Sequence, residues 1–348
     1  MSRFALLAAA ALASASILPS ARTADAETLN LTVLGQPVGS GLIAQEKEAP
    51  FFANLAAETG LDVAVEYRPV DVAGIPDSDG LRVLKSGLFD IVSIRGPQVS
   101  RDEPTVLGLD LIGMNELRRR QGAYRGLLPD RGGPPQGQFN AKLLGLWPAG
   151  PQVIFCKPEI REPRRSSRAE GPVGDQSAAA FVDGLGATGV PMPFGEVQQS
   201  LARGVVDCAI TGPASANSGG WPEATTTVLP IALQLAINGY AVNLDTWNGM
   251  APEDQAKLQS AIEALSADIW AYSEELYEDA MRCNAGAEPC THGKPYALKE
   301  APVSDADLAT VAAAVGEVSL PIWAEQCNAV NPGCEAAWRE AVGTKLGL

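Results

Sequence analysis

Leu84-Lys-Ser-Gly-Leu-Phe-Asp-Ile-Val92 and Leu201-Ala-Arg-Gly-Val-Val-Asp-Cys-Ala209 begin 117 residues apart and carry one pattern. In each, a leucine closes a helix and a glycine takes the left-handed cap; two apolar residues and an Asp then lead into a buried strand. The offset is about the size of one small α/β lobe, which favours two similar lobes facing each other. Two ordinary helix–strand joints that match by chance remain the rival, because such joints recur throughout α/β folds.

The flanking sequence extends this reading. Leu29 to Gly35 alternates and stops at glycine, as a first buried strand does, and Leu61 to Tyr67 reads as a second. A helix is expected over roughly 42–59 and another over 77–86, with Gly87 ending it and Leu88 to Ile94 forming the next strand. Strands alternating with helices predict an α/β fold whose sheet is mainly parallel and covered on both faces. The apolar runs Ala141 to Trp147 and Leu229 to Asn243 suit strands that pass from one lobe to the other and back. Pro252 opens a helix with Glu253 and Asp254 in its first turn, and Leu258, Ile262, Leu265, Ile269 and Leu276 make an apolar stripe. Running to about Arg282, that helix is roughly 45 Å long and can brace two lobes.

The N-terminus has the shape of an export signal. Residues 5–18 are rich in alanine and leucine, and Ala24-Asp25-Ala26 fits a small-x-small cleavage site, so residues 1–26 are expected to be removed and the protein to be periplasmic. The apolar run is shorter than the roughly 20 residues a membrane span needs. The remaining chain of about 320 residues is long enough for two lobes. A net charge of −15 argues against nucleic acid as a partner. Six cysteines in an exported chain suggest disulfides. Cys283 and Cys290 flank a short loop, as do Cys327 and Cys334, which leaves Cys156 for Cys208. With no C-x-x-C and only His292 as a histidine, no metal site is expected.

Catalytic constellations are poorly supported. No G-x-S-x-G elbow, Walker loop or dinucleotide fingerprint occurs, and His292 sits in Pro289-Cys-Thr-His-Gly-Lys-Pro295 without an evident nucleophile. No catalytic residue and no cofactor are therefore expected. A binding cleft asks for polar anchors at strand ends and aromatic walls. Candidates are Gln36, Arg95, Trp147, Gln152, Gln176, Phe194, Asn217, Trp221 and Asn238. Arg95 directly follows a strand, where α/β sheets place ligand groups, and Trp221 follows Ser218-Gly-Gly, a turn able to present its indole.

Pro191-Met-Pro-Phe-Gly-Glu-Val-Gln-Gln-Ser-Leu-Ala-Arg-Gly-Val-Val-Asp207 resembles the motif of periplasmic solute-binding proteins of tripartite ATP-independent (TRAP) transporters, the DctP-like group. Leu84 to Asp90 is similar to that group's first-lobe counterpart. The resemblance implies a two-lobed periplasmic-binding-protein fold, type II-like, that closes on a small organic-acid or amino-acid-like solute and delivers it to the TRAP permease membrane subunits. Lobe 1 would span 27–149, completed by about 241–275, and lobe 2 would span 150–240, completed by about 276–348. Alternatives are a periplasmic ligand-sensing protein and a secreted enzyme on the same scaffold.

The resemblance also implies an arginine that pairs with the solute carboxylate, on a strand shortly before Pro191. Here that place reads Glu162 to Gln176, the strand is not evident, Pro172 stands at the arginine position, and Arg168, four residues early, is the substitute. The Gln-Glu-Asn that follows the motif in the group is replaced by Cys208-Ala-Ile-Thr211. Arg164 to Val173 and Leu127 to Pro135 can each be written in codons that, read one nucleotide on, encode a regular segment. The stretches 117–136 and 164–173 are thus expected to be compensated frameshifts, against the alternative of two divergent surface loops.

Overall fold

A computed structural model of the chain describes residues 28–38, 41–114, 138–157, 171–173, 176–192 and 194–348. The expected signal segment 1–26, the stretch 117–136 and residues 164–170 lie outside these.

Two main sheets carry the fold. The first contains β1 (Leu29–Gly35), β2 (Val63–Pro69), β3 (Ile91–Arg95), β4 (Ala141–Pro148) and β10 (Ile237–Asn243), in the order β2-β1-β3-β10-β4. The second contains β5 (Gln152–Cys156), β8 (Cys208–Thr211), β9 (Thr227–Gln234) and β11 (Lys299–Glu300), in the order β11-β9-β5-β8. Neither is mainly parallel. β1 pairs parallel with β2 and β3, but β10 runs antiparallel to both β3 and β4. In the second sheet β5 is antiparallel to β8 and β9. The expectation failed because the chain crosses between the sheets, and each crossing strand enters its new sheet antiparallel to a resident.

The twin motifs fold alike. Gly87 and Gly204 both take left-handed φ, +71° and +72°. The next N–H reaches back to the helix in both copies, Leu88 to the Val83 carbonyl and Val205 to the Ser200 carbonyl. Each helix thus ends in a Schellman turn. The strands begin later than periodicity suggests, at Ile91 and Cys208, because the turn occupies the first apolar positions. Leu88 and Val205 consequently remain exposed. Asp90 stitches the first copy to β1, accepting from the Thr32 N–H at 2.8 Å and the Thr32 hydroxyl at 2.7 Å.

The expected long helix runs Pro252–Ala285, 34 residues or roughly 51 Å, and ends where Gly286 turns left-handed at φ +74°. Leu258, Ile262, Leu265, Ile269 and Leu276 are buried with Leu31, Val33, Ile91 and Tyr240 on one face of the first sheet. Gly145 of β4 lets the helix approach: a Cβ there would lie 2.4 Å from Ser266 Oγ. At its far end Asn284 donates to the Pro213 carbonyl at 3.2 Å, beside the second sheet. The helix therefore packs against both halves, as a brace does.

All three cysteine pairs are bonded as the sequence suggests: Cys156–Cys208, Cys283–Cys290 and Cys327–Cys334. The first links directly opposed positions of β5 and β8. A third, two-stranded sheet corrects one sequence reading. Gly171–Val173 forms a short strand, β6, paired in parallel with β7 (Gly189–Pro191), so part of the strand judged missing is present. In the C-terminal tail, Trp323 and Trp338 donate to the carbonyls of Pro104 and Gly108, and bury against Leu107, Leu111 and Met114.

Candidate functional site

Two chain crossings lie side by side. Pro148 ends β4 and Gln152 starts β5, while Gln234 ends β9 and Ile237 starts β10. The crossings bond to each other: Ala149 N–H donates to the Ala236 carbonyl at 3.1 Å, and Gly150 N–H to the Leu235 carbonyl at 3.0 Å. Ala236 sits at φ +52°, a strained position for a residue with a Cβ. Asp110, 6% exposed, holds this turn with its carboxylate, accepting from the Leu235 N–H at 2.9 Å and the Ile237 N–H at 3.4 Å. Two adjacent strands, clamped where they pass between sheets, form a hinge-like joint.

Next to the joint, register collects three of the predicted residues. Asn238 opposes Arg95 on one side and Trp147 on the other, so all three project from the same face at the crossing end of the first sheet. Gly96 permits this, since a Cβ there would stand 2.4 Å from the Ile237 carbonyl. Trp147 is buried beside Tyr240, and its indole N–H has no hydrogen-bond partner among the described residues. Arg95 is half-buried and pairs with Asp77 at 2.7 Å, so part of its charge is already balanced. The sequence offers no hint of that partner, which lies 18 residues upstream.

Gln36 belongs to the same end of the sheet and brings a network with it. Its side-chain N–H donates to Ser93 Oγ at 2.8 Å and its backbone N–H to Glu48 at 2.6 Å. Glu48 is fully buried and also accepts from the hydroxyls of Tyr67, Ser93 and Tyr240 at 2.9, 2.6 and 2.9 Å. Burial pushes its carboxyl above the usual carboxylate range, against the opposing pull of the hydrogen bonds from Ser93, Gln36 and the two tyrosines. Burial likewise raises the Tyr67 and Tyr240 hydroxyls, with the nearby Glu48 charge adding to it, which keeps both as donors. Sequence reasoning missed Glu48, Ser93 and Asp110. The only local signal was a glutamate just before Pro50-Phe-Phe52, on a helix whose other apolar residues face the core.

Other predicted residues take other places. Trp221 is not presented by a turn: it is 1% exposed, edge-on to Phe155 and 5.3 Å from the ring of Phe194. The Gly219-Gly220 turn instead folds the indole under the second sheet, where its N–H has no partner among the described residues. Phe194, 43% exposed, is the outer member of that aromatic stack. Asn217 is consumed by structure, donating to Asn284 and the Lys294 carbonyl and accepting from the Lys294 N–H, all at 2.8 Å. Gln152 is half-buried at the start of β5 and donates to the Gly150 carbonyl at 2.7 Å. Gln176 opens the helix Gln176–Gly184, while its side chain and Arg168 lie outside the described residues. His292 stands 3.8 Å from Glu275 and edge-on to Tyr272. Among the described residues no cluster suited to a metal ion is found.

Comparison with known proteins shows what the chain is similar to. Residues 173–285 match the family model described as bacterial extracellular solute-binding protein, family 7, DctP. The ectoine-binding periplasmic protein TeaA of Halomonas elongata is 27% identical over 149 residues, 41% of this chain and 42% of that protein, so the aligned stretch spans less than half of that relative. Among solved structures, a Bordetella pertussis extracytoplasmic solute receptor binding pyroglutamic acid superposes with a TM-score of 0.69 at 14% identity, covering 89% of this chain and 99% of the receptor. A TRAP periplasmic solute-binding protein from Desulfovibrio salexigens with bound orotic acid gives 0.70 at 14% identity, covering 91% and 99%. The family model covers the Pro191–Asp207 motif from which the resemblance was read, and the α/β fold is that of these solved binding proteins.

Proposed function

We propose that this protein is an extracytoplasmic solute receptor that holds a small carboxylate-bearing solute between its two sheets and passes it unchanged to TRAP permease membrane subunits. The observation that carries the proposal is the row Arg95–Asn238–Trp147 beside the paired crossings. It combines a cation, an amide and a buried indole N–H without a partner among the described residues, where two halves of the chain meet. A solute that touches both halves favours a closed arrangement by its differential affinity for it. Relatives named for pyroglutamate and orotate support an organic acid as the solute class. In this reading the protein is periplasmic, residues 1–26 are its signal peptide, and the halves divide as lobe 1 from 27–149 with about 241–275 and lobe 2 from 150–240 with about 276–348.

Arg95, Trp147 and Asn238 then line the solute, with Gln36 and Gln152 at its margins, Phe194 as an outer wall, and Arg168 and Gln176 as contributions from the second lobe. Trp221 and Asn217 stand behind the wall as its support. The test is titration calorimetry of the mature protein against a panel of organic acids and amino acids, followed by Arg95→Lys. Lysine keeps the charge but not the planar fork, so affinity should fall at least about tenfold. Unchanged affinity removes Arg95 from the site, and a panel with no binder removes the proposal.

A further inference from the structure

One acidic side chain orients its neighbours at the end of β1. Both oxygens of Glu48 are occupied, Oε1 by the Gln36 N–H and the Tyr67 hydroxyl, Oε2 by the hydroxyls of Ser93 and Tyr240. A carboxylate only accepts and has about four lone-pair positions, so four donors satisfy it in full. Ser93 has a single hydroxyl proton. Given to Glu48 at 2.6 Å, it leaves the Ser93 oxygen with lone pairs alone to offer Gln36. The Gln36 amide must then turn its NH2 toward Ser93, as the 2.8 Å contact requires. The Ser93 backbone carbonyl, 3.4 Å from the same nitrogen, selects the same orientation. Because the amide is planar, its carbonyl oxygen points away from Ser93. The polarity of Gln36 is thus imposed by a charge two hydrogen bonds distant.

We infer that Glu48 and Ser93 are positioning residues that make Gln36 a hydrogen-bond acceptor for the solute, and so select acids carrying an N–H or O–H donor over the same acids with that donor blocked. The inference rests on the row Arg95–Asn238–Trp147 marking the solute site. It adds a second requirement to the carboxylate: the solute needs a donor, because a buried amide carbonyl left without one is costly.

The experiment measures donor preference as a ratio of dissociation constants for two probe pairs, pyroglutamate with N-methylpyroglutamate and orotate with 1,3-dimethylorotate. Wild-type protein should prefer the donor-bearing member of the pair it binds by about tenfold or more. Glu48→Gln frees the Ser93 proton to turn toward Gln36, and should shrink the ratio to within about threefold or invert it. Ser93→Ala should lower it as well, and Ser93→Thr, which keeps the hydroxyl on a strand-compatible side chain, should restore it. Circular dichroism identifies any variant that fails to fold, and the Ser93 pair alone then decides. A ratio unmoved by Glu48→Gln and Ser93→Ala overturns the inference while leaving the receptor intact. Binding of neither member of either pair by wild-type protein removes the premise, and the inference with it.

Discussion

Replacing Asp110 by alanine tests whether the paired crossings are clamped as the geometry indicates. The carboxylate is buried and serves two backbone N–H groups, those of Leu235 and Ile237, on either side of the left-handed Ala236. Neither group can reach water once the acceptor is gone, and each buried N–H left unpaired costs about 1–3 kcal/mol. The sum is a loss of about 2–6 kcal/mol, large against the roughly 5–15 kcal/mol that separates folded from unfolded chains. Urea unfolding of the mature protein measures it, with Asp71→Ala as the control. Asp71 also accepts from backbone N–H groups, Val38 at 3.1 Å and Val72 at 3.0 Å, but in exposed loops where water replaces it. That variant should stay within about 0.5 kcal/mol of wild type. Hydrogen exchange supplies a local readout, because peptides covering 233–238 should lose protection in Asp110→Ala first. Equal stability of the two variants, or an unchanged exchange pattern at 233–238, refutes the clamp.

Three further outcomes follow from the same coordinates. Cys156–Cys208 closes a separation of 52 residues and Cys283–Cys290 one of 7, so chain-entropy arguments give losses of about 4 and about 2 kcal/mol for the paired alanine variants; urea unfolding showing the reverse order counts against that account. Trp221→Ala should cost about 3–5 kcal/mol, as expected for a fully buried indole, while Phe194→Ala at its exposed neighbour should cost well under half of that; comparable losses refute the buried placement. Burial raises the Glu48 carboxyl, so the folded chain holds that proton more tightly than the unfolded one. The stability linked to it is fully present below the unfolded value of about 4.3 and is lost as pH rises through the raised folded value. The stability of wild type relative to Glu48→Gln should therefore increase as pH falls from about 7.5 to about 4.5, and a flat difference sinks the assignment.

Some of this molecule was legible one residue at a time. The left-handed caps at Gly87 and Gly204, the strand that stops at Gly35, the helix that starts at Pro252 and the two short-range cysteine pairs all rest on local chemistry. A glycine after an apolar helix end, a proline in a first turn, or two cysteines seven positions apart constrains the backbone wherever it finally packs. The short Pro191–Asp207 motif carried the resemblance for the same reason, since a turn, a helix and a capped strand are contiguous in it.

What depended on partners far along the chain was not legible. Whether Trp221 faced a solute or the interior turned on how its turn folds beneath the second sheet, and Asn217 turned on Asn284 and Lys294, 67 and 77 residues away. Arg95, Asn238 and Trp147 were each visible as strand-end residues, but only the pairing of β10 between β3 and β4 put them in one row. Glu48 and Asp110 went unremarked in the sequence; their hydrogen-bonding duty arises from tyrosine hydroxyls and backbone amides brought from up to 192 residues away. Local sequence sets backbone conformation because steric and capping preferences act within a few residues. Burial and polarity at a site come from the whole set of groups that the sheets assemble around it, and that set exists only once the chain has crossed between them.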